Sequence, residues 1–166
     1  MIQGSLKDLV TDGQLRPIRL GSTRTLIAEL LGEPDDYSLN SHGRHRKRLP
    51  PTIWKYGDIE LHFAEATDQL YLIFLEHFTV PSGGTKLHLD PWIIQQSLTV
   101  DTLEHGLEQN HIPVQRDRKP YDDPHTLRLR AGVGVEFLFT TMDTSARSPA
   151  GLTAVSYSDL ASNSQP

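Results

Sequence analysis

The chain has 166 residues, a formal net charge of −5 and no cysteine. This length allows one domain with a real core or two small fused units. The missing cysteine excludes disulfides, cysteine-ligated zinc, iron–sulfur clusters and a thiol nucleophile, and the negative charge argues against general nucleic-acid binding.

The start of the sequence and its hydropathy bear on location. The first ten residues, MIQGSLKDLV, lack the basic stretch and the long apolar run of a secretory signal. No segment approaches the ~20 consecutive apolar residues that a membrane-spanning helix needs. We therefore expect a cytoplasmic protein without a membrane partner.

Two short helices are predicted near the N-terminus. The first covers residues 4–11 and ends before Gly13, because glycine tolerates the left-handed cap conformation. The second begins at the Gly-Ser-Thr stretch at 21–23, whose hydroxyls can bond the free amides of a first turn. It ends at Gly32, since Pro34 cannot continue a helix.

A polar loop is predicted over residues 35–51. It contains the densest basic cluster of the chain, from Arg44 to Arg48. Runs of like charge are usually solvated. The alternative is an arm that grips an acidic partner or a phosphate.

The stretch TIWKYGDIELHF, residues 52–63, predicts a tight β-hairpin with its turn at Gly57-Asp58. Lys55 would lie opposite Glu60. Because side chains alternate along a strand, one face is apolar and the other mixed. The apolar face holds Trp54, Tyr56, Ile59, Leu61 and Phe63, and the mixed face holds Ile53, Lys55, Glu60 and His62.

A third strand is predicted over residues 69–78. Leu70, Leu72 and Phe74 would share one face, and the opposite face is also apolar. A strand of this kind is either central and covered on both sides or leaves an exposed apolar patch.

The second half has the same order of elements. After a connector at 81–98, Thr99 or Asp101 can cap a helix that carries Leu103 and Leu107. A charged loop follows, and then a hairpin with a glycine-containing turn at 132–134. The loop is predicted at 116–124 and the strands at 126–131, 135–140 and 151–158.

These matches predict a duplicated unit. Residues 59–63 align with 135–139, and Arg130 opposite Glu136 repeats the basic–acidic pair of the first hairpin. One unit alone cannot bury its helix well against its own strands, whereas two units side by side can share one sheet. We predict a single α+β domain over residues 1–166, with an antiparallel sheet from two tandem helix–loop–β-meander repeats at about 21–80 and 99–158. The helices would lie on one face.

The segments LLGEPDDY (30–37) and IWKYGDIELHF (53–63), followed by an apolar strand, resemble a known unit. It is the helix–loop–β-meander of the β-lactamase-inhibitor-protein-like fold, which the SmpA/BamE-type outer-membrane assembly lipoproteins share. The chain lacks the cysteines of both groups. As a cysteine-free chain it also loosely resembles bacterial toxin-immunity proteins. The resemblance implies helices over one sheet face and a second face free to bind protein.

The spacing of candidate catalytic and metal-binding groups matches no known motif. His77, His88 and Asp90 could supply metal ligands, but HExxH spacing is absent. The G-x-S-x-G elbow and the P-loop are absent too. Asp35-Asp36 and Asp122-Asp123 are either turn residues or a cation or acid–base site. We predict no catalytic residue, no metal site and no cofactor.

The strongest functional signal is the mixed face of the predicted sheet. Apolar, arginine and histidine groups would lie together there, as suits an interface with charge complementarity. The alternative is an ordinary solvated face, which antiparallel sheets commonly have. With the basic loop, the predicted protein-binding residues are Ile53, Lys55, Glu60, His62, Arg128, Arg130, Glu136, Leu138, Arg44 and Arg46.

The favoured hypothesis is a non-enzymatic protein-binding module, such as a bacterial toxin-immunity or inhibitor protein whose partner is a toxin or an enzyme. The alternative is a small-molecule or metal-binding enzyme with a pocket between the repeats, using the acid pairs, His62 or His88. Contact with nucleic acid through residues 44–48 is a third hypothesis, which the net charge disfavours.

Overall fold

The computed structural model describes residues 2–38, 51–76, 80–95, 98–118, 125–140 and 151–158. Within these ranges the elements are β1 (Ile2–Ser5), α1 (Leu6–Asp12), β2 (Gln14–Leu15), β3 (Ile18–Arg19), α2 (Arg24–Leu31), β4 (Asp36–Ser38), β5 (Ile53–Tyr56), β6 (Ile59–Phe63), β7 (Leu70–Glu76), β8 (Leu87–Asp90), α3 (Val100–Gln109), β9 (Val114–Asp117), β10 (Thr126–Ala131), β11 (Val135–Thr140) and β12 (Gly151–Ser158). The chain is therefore α+β, as predicted.

Eight strands form one antiparallel sheet in the order β4-β5-β6-β7-β12-β11-β10-β9. The strands of the first half and those of the second half meet where β7 pairs with β12. Two small sheets accompany it: β1 pairs with β8 in parallel, and β2 pairs with β3. The prediction of a mostly antiparallel sheet that contains both hairpins is confirmed.

Both hairpins form with the predicted registers. Lys55 lies opposite Glu60, and Arg130 lies opposite Glu136. The turn glycines Gly57 and Gly132 have φ angles of 60° and 57°. Glycine adopts this left-handed conformation at no steric cost, whereas other residues do not. The turns therefore fix which residues face each other.

Each helix begins at a hydroxyl cap. Ser5, Thr23 and Thr99 accept a hydrogen bond from an amide in the first turn of α1, α2 and α3 respectively. A helix start leaves such amides unpaired, so each cap satisfies one of them. Of the two candidate caps for α3, Thr99 is the one used.

One face of the large sheet belongs to the hydrophobic core. Trp54 and Phe137, one from each hairpin, are members of a single cluster of buried residues. Leu9, Ile27 and Leu107, one from each helix, belong to the same cluster. Burying a side chain of this size contributes about 1.5–3 kcal/mol. The two hairpins are thus stabilised by a shared core.

Two segments predicted as loops contain the edge strands of the sheet. β4 falls within the predicted loop 35–51, and β9 overlaps the predicted loop 116–124. Both strands are short and polar, so pairing with β5 and β10 defines them, and hydrophobic alternation does not. The stretch after α1 is the hairpin of β2 and β3.

A register shift corrects the predicted faces of β7. The shift lies between His62 and Phe63, so that Leu70 is opposite Phe63 and buried in the core. Leu72 is opposite His62, on the other face with Phe74. An irregularity that leaves one residue unpaired changes which face the following side chains take. The predicted grouping of Leu70 with Leu72 and Phe74 is wrong for this reason.

The turn of the first hairpin is anchored on the connector between the halves. The Asp58 amide donates to the Ser82 carbonyl at 2.8 Å, and the Ser82 amide donates to Asp58 Oδ2 at 2.8 Å. The Gly57 amide donates to Asp35 Oδ2 at 3.0 Å. The aspartate of this Gly-Asp turn therefore bonds outside the hairpin, which explains an order that is uncommon for a two-residue turn.

Candidate functional site

The side chains on the sheet face opposite the core form rows across the strands. One row contains, in order, Lys55, Glu60, Phe74, Ser156, Glu136 and Arg130. With about 4.8 Å between neighbouring strands, Lys55 and Arg130 stand about 24 Å apart along the row. We call this surface the ionic face and define it by Lys55, Glu60, His62, Arg128, Arg130 and Glu136.

The first cluster of the ionic face is built on Glu60. Lys55 Nζ forms an ion pair with Glu60 Oε1, and His62 Nε2 lies 3.0 Å from Glu60 Oε2. Because an ionised carboxylate can only accept hydrogen bonds, the imidazole donates from Nε2. The rings of Tyr71 and Phe74 meet the imidazole edge to face, each with centroids 6.3 Å away. These contacts hold His62 between two aromatic rings and a carboxylate.

This environment moves the pKa values of both acid and base. Burial lowers the pKa of His62 below its ordinary value, and the hydrogen bond to Glu60 opposes this only in part. Burial raises the pKa of Glu60, but hydrogen bonds from Lys55 and His62 outweigh it, so the pKa of that carboxyl is lowered overall. At neutral pH the cluster therefore holds an ammonium, a carboxylate and a neutral imidazole.

We expect the free energy of unfolding to fall as the pH is lowered from 7.5 to 5.5. The unfolded chain binds the His62 proton near the ordinary pKa of 6.5, whereas the folded chain resists it down to a lower pKa. The folded state is therefore most stable at a pH above the His62 pKa of the unfolded chain. This stability is lost as the pH falls through that value toward the lower His62 pKa of the folded chain. Charged groups that act on the imidazole are Glu60, Lys55 and Glu76. Urea unfolding at the two pH values measures the change.

Two variants test whether His62 causes this pH dependence of stability. His62→Gln cannot take up the proton, so its stability should depend less on pH than that of the wild type. His88→Gln removes an exposed imidazole on β8 and serves as the comparison variant. An identical slope in all three proteins would show that His62 is not responsible.

The second cluster is built on Glu136. Arg128 Nη1 donates to Glu136 Oε2, and Arg130 Nη2 donates to Glu136 Oε1 at 3.0 Å. Asp117 Oδ2 lies 3.9 Å from the same Arg130 nitrogen. Arg128 and Glu136 are both buried. Like Glu60, Glu136 thus binds a basic group at each of its two oxygens.

The eight predicted sheet residues lie on the same side of the sheet, as their registers require. Ile53 is opposite His62, and Leu138 is opposite Arg128. A solvated face would leave such residues exposed, but Ile53, Glu60, Arg128 and Glu136 are buried and the other four are half-buried. The remaining two predicted residues, Arg44 and Arg46, lie outside the described ranges.

Sequence reasoning missed three residues of this surface. Phe74 and Ser156 fill the row between the two glutamates, and Asp117 joins the second cluster from the edge strand. The apolar character of both faces of β7 was the available signal for Phe74. Asp117 gave none, because its segment was predicted as a loop.

Comparison with known proteins adds no relative. No family model, curated protein or solved structure matches the chain. None of the described helices has the length and the apolar character needed to cross a membrane.

The candidate groups for metal or acid–base chemistry have separate structural surroundings. Asp35 accepts hydrogen bonds from the Gly57 amide and the Thr85 hydroxyl, and Asp36 accepts one from the next amide. His88 is exposed on β8. Across the described ranges, no three His, Asp or Glu side chains are grouped so that they could hold a metal ion. Asp122, Asp123 and His77 lie outside those ranges.

Proposed function

We propose that the chain is a non-enzymatic protein-binding module, of the kind represented by bacterial toxin-immunity and inhibitor proteins, and that the ionic face makes the contact. The observation behind this proposal is the pair of ionic clusters on one continuous sheet face. Lys55 and Arg130, with side chains 34% and 26% accessible, stand about 24 Å apart. A protein interface of roughly 800 Å² per partner has about this width.

Preorganisation favours binding at this face. Fixing a long side chain at an interface costs about 0.5–1.5 kcal/mol. Here Lys55 is already paired with Glu60, and Arg130 with Glu136, before any partner arrives. Much of that ordering cost is therefore met during folding. Because each carboxylate is balanced by cations, recognition would depend on local complementarity and not on net charge.

We further infer that the sheet arose from two tandem helix–loop–β-meander units with their helices on one face. Each half contributes a helix followed by four strands, α2 with β4–β7 and α3 with β9–β12. The sheet order places the second set in reverse, as a two-fold rotation of one unit onto the other would. Glu60 and Glu136 hold equivalent hairpin positions. This is the arrangement that the resemblance to the inhibitor-type fold implies.

The double variant Lys55→Gln/Arg130→Gln tests the proposal. Both side chains lose their charge but keep a polar amide donor, so we expect the fold to persist and the affinity for the partner to fall by at least about tenfold. A tagged chain first captures the partner from the source cells. The captured protein is then titrated against wild type and variant.

A matched control is Arg19→Gln/Lys86→Gln. It removes two exposed cations that lie outside the eight-stranded sheet, and it should bind as the wild type does. Circular dichroism melts check that all proteins are folded. Equal loss in the two double variants, or a partner insensitive to the first, would count against the ionic face.

A further inference from the structure

A groove runs between α3 and the segment that leads into β9. It encloses about 710 Å³. Its lining contains His105 and His111 and two further groups: the carboxylates Asp101, Glu104 and Glu108, which we call the rim, and Ile112, Pro113 and Val114, which we call the floor. Positions three and four apart on a helix share a face, so the three carboxylates line one side. The groove thus has an acidic rim and an apolar floor.

The acidic rim is only partly neutralised by the described residues. Arg116 donates to both oxygens of Glu104, from Nε at 3.2 Å and from Nη2 at 3.3 Å. Asp101 and Glu108 are exposed, and neither has an ion pair with a described side chain. A ligand with spaced positive charges would complement these two carboxylates.

The groove lies beside an open sheet edge. Within the described ranges β9 pairs only with β10, so its outer row of backbone amides and carbonyls is available to a further strand. Val114 and Arg116 lie opposite Ala131 and Leu129, which belong to the core. The groove is therefore on the side of the sheet opposite the ionic face.

We propose that this groove binds an extended, lysine- or arginine-rich segment of a partner protein, which pairs with β9 as an added strand. Basic side chains would reach the rim while their aliphatic stems cover the apolar floor. The site is independent of the ionic face and goes beyond it.

Charge favours a segment of a partner protein as the strand added to β9. The competing occupant is the opposite edge of the sheet in a second copy of the chain. That edge is β4, where Asp36 lies next to Asp35 and close to Glu33 in sequence. Joining β4 of one copy to β9 of another would bring these acids close to the Asp101 and Glu108 carboxylates that line the groove beside β9, and like charges repel. A basic partner has no such penalty.

The test uses a fluorescein-labelled (Lys-Thr)₅ peptide and the full chain. We expect saturable binding by fluorescence anisotropy that weakens with salt, and none with (Glu-Thr)₅. Asp101→Asn/Glu108→Gln should weaken it about three- to tenfold, the effect of removing two exposed charge contacts. Hydrogen exchange of residues 114–117 should slow when the peptide is bound.

Glu29→Gln/Glu65→Gln is the matched control, since it removes two exposed carboxylates elsewhere and should leave binding unchanged. Equal weakening by both double variants, or binding without protection of residues 114–117, would overturn the proposal. Absence of peptide binding would also overturn the proposal. If the peptide does not bind and sedimentation shows self-association that Asp101→Asn/Glu108→Gln abolishes, the groove binds a second copy of the chain instead. Unchanged melting temperatures show that each variant is folded.

Discussion

Replacing Glu136 with alanine is expected to lower the free energy of unfolding by about 3–5 kcal/mol, the cost of breaking a buried ion pair by removing one partner. Its carboxylate accepts hydrogen bonds from both Arg128 and Arg130. The Glu136 and Arg128 side chains are only 9% and 6% accessible. The variant keeps two guanidinium groups near a site that water reaches poorly, and it removes the acceptor that they share.

Two further variants provide stability losses with which the loss in Glu136→Ala can be compared. Glu60→Ala should cost less, because Lys55 is 34% accessible and can be rehydrated. Glu104→Ala breaks an exposed pair with Arg116 and should cost about 0.2–1 kcal/mol. Urea unfolding followed by tryptophan fluorescence compares the three, since Trp54 lies in the shared core. A loss for Glu136→Ala no greater than that for Glu104→Ala would show that the buried cluster does not stabilise the fold.

The hairpins could be predicted because their signals are local. In residues 126–140, Leu127 and Leu129 alternate toward one face and Phe137 and Phe139 toward the same face. A slip by one residue would turn one pair away from the core, so burial selects a single register. The glycine-containing turn agrees with that register, and two independent signals therefore indicate the same pairing.

The edge strands and the small parallel sheet could not be predicted in this way. The sequences of β4 and β9, DYS and VQRD, show no apolar alternation. They become strands because β5 and β10 offer them an unpaired edge. β1 pairs with β8 across 85 positions of the sequence, and no local pattern encodes such a contact.

The sequence predicts which residues lie on the ionic face, but it does not predict how deeply their side chains are buried. Alternation decides which side of the sheet a residue takes. Burial depends on neighbours from other strands, such as Phe74 and Ser156 between the two glutamates. The predicted pair of Arg130 and Glu136 forms, but Arg128 also reaches Glu136 from two positions along the same face. Diagonal contacts of this kind depend on side-chain length and packing, which a register does not specify.

Replacing Gly132 with alanine is expected to lower the free energy of unfolding by about 3 kcal/mol. Gly132 has a φ of 57°, and a Cβ there would overlap the Val10 carbonyl oxygen at the end of α1. The left-handed conformation costs an L residue about 1–2 kcal/mol, and overpacking at a tight contact typically costs about 1–3 kcal/mol. The overlap would displace a turn whose Val133 amide donates to that carbonyl at 3.1 Å.

Two other glycines separate the backbone cost from the overlap. Gly21 has a φ of 84° with open space around its Cβ position, so Gly21→Ala should cost only the conformational part, about 1–2 kcal/mol. Gly151→Ala has neither strain nor overlap and should change stability by less than about 0.5 kcal/mol. Urea unfolding measures all three. Hydrogen exchange of residues 6–12 should increase only in Gly132→Ala, because only that variant loosens the contact between α1 and the second hairpin. Equal costs for Gly132→Ala and Gly21→Ala would mean that this contact contributes nothing to stability.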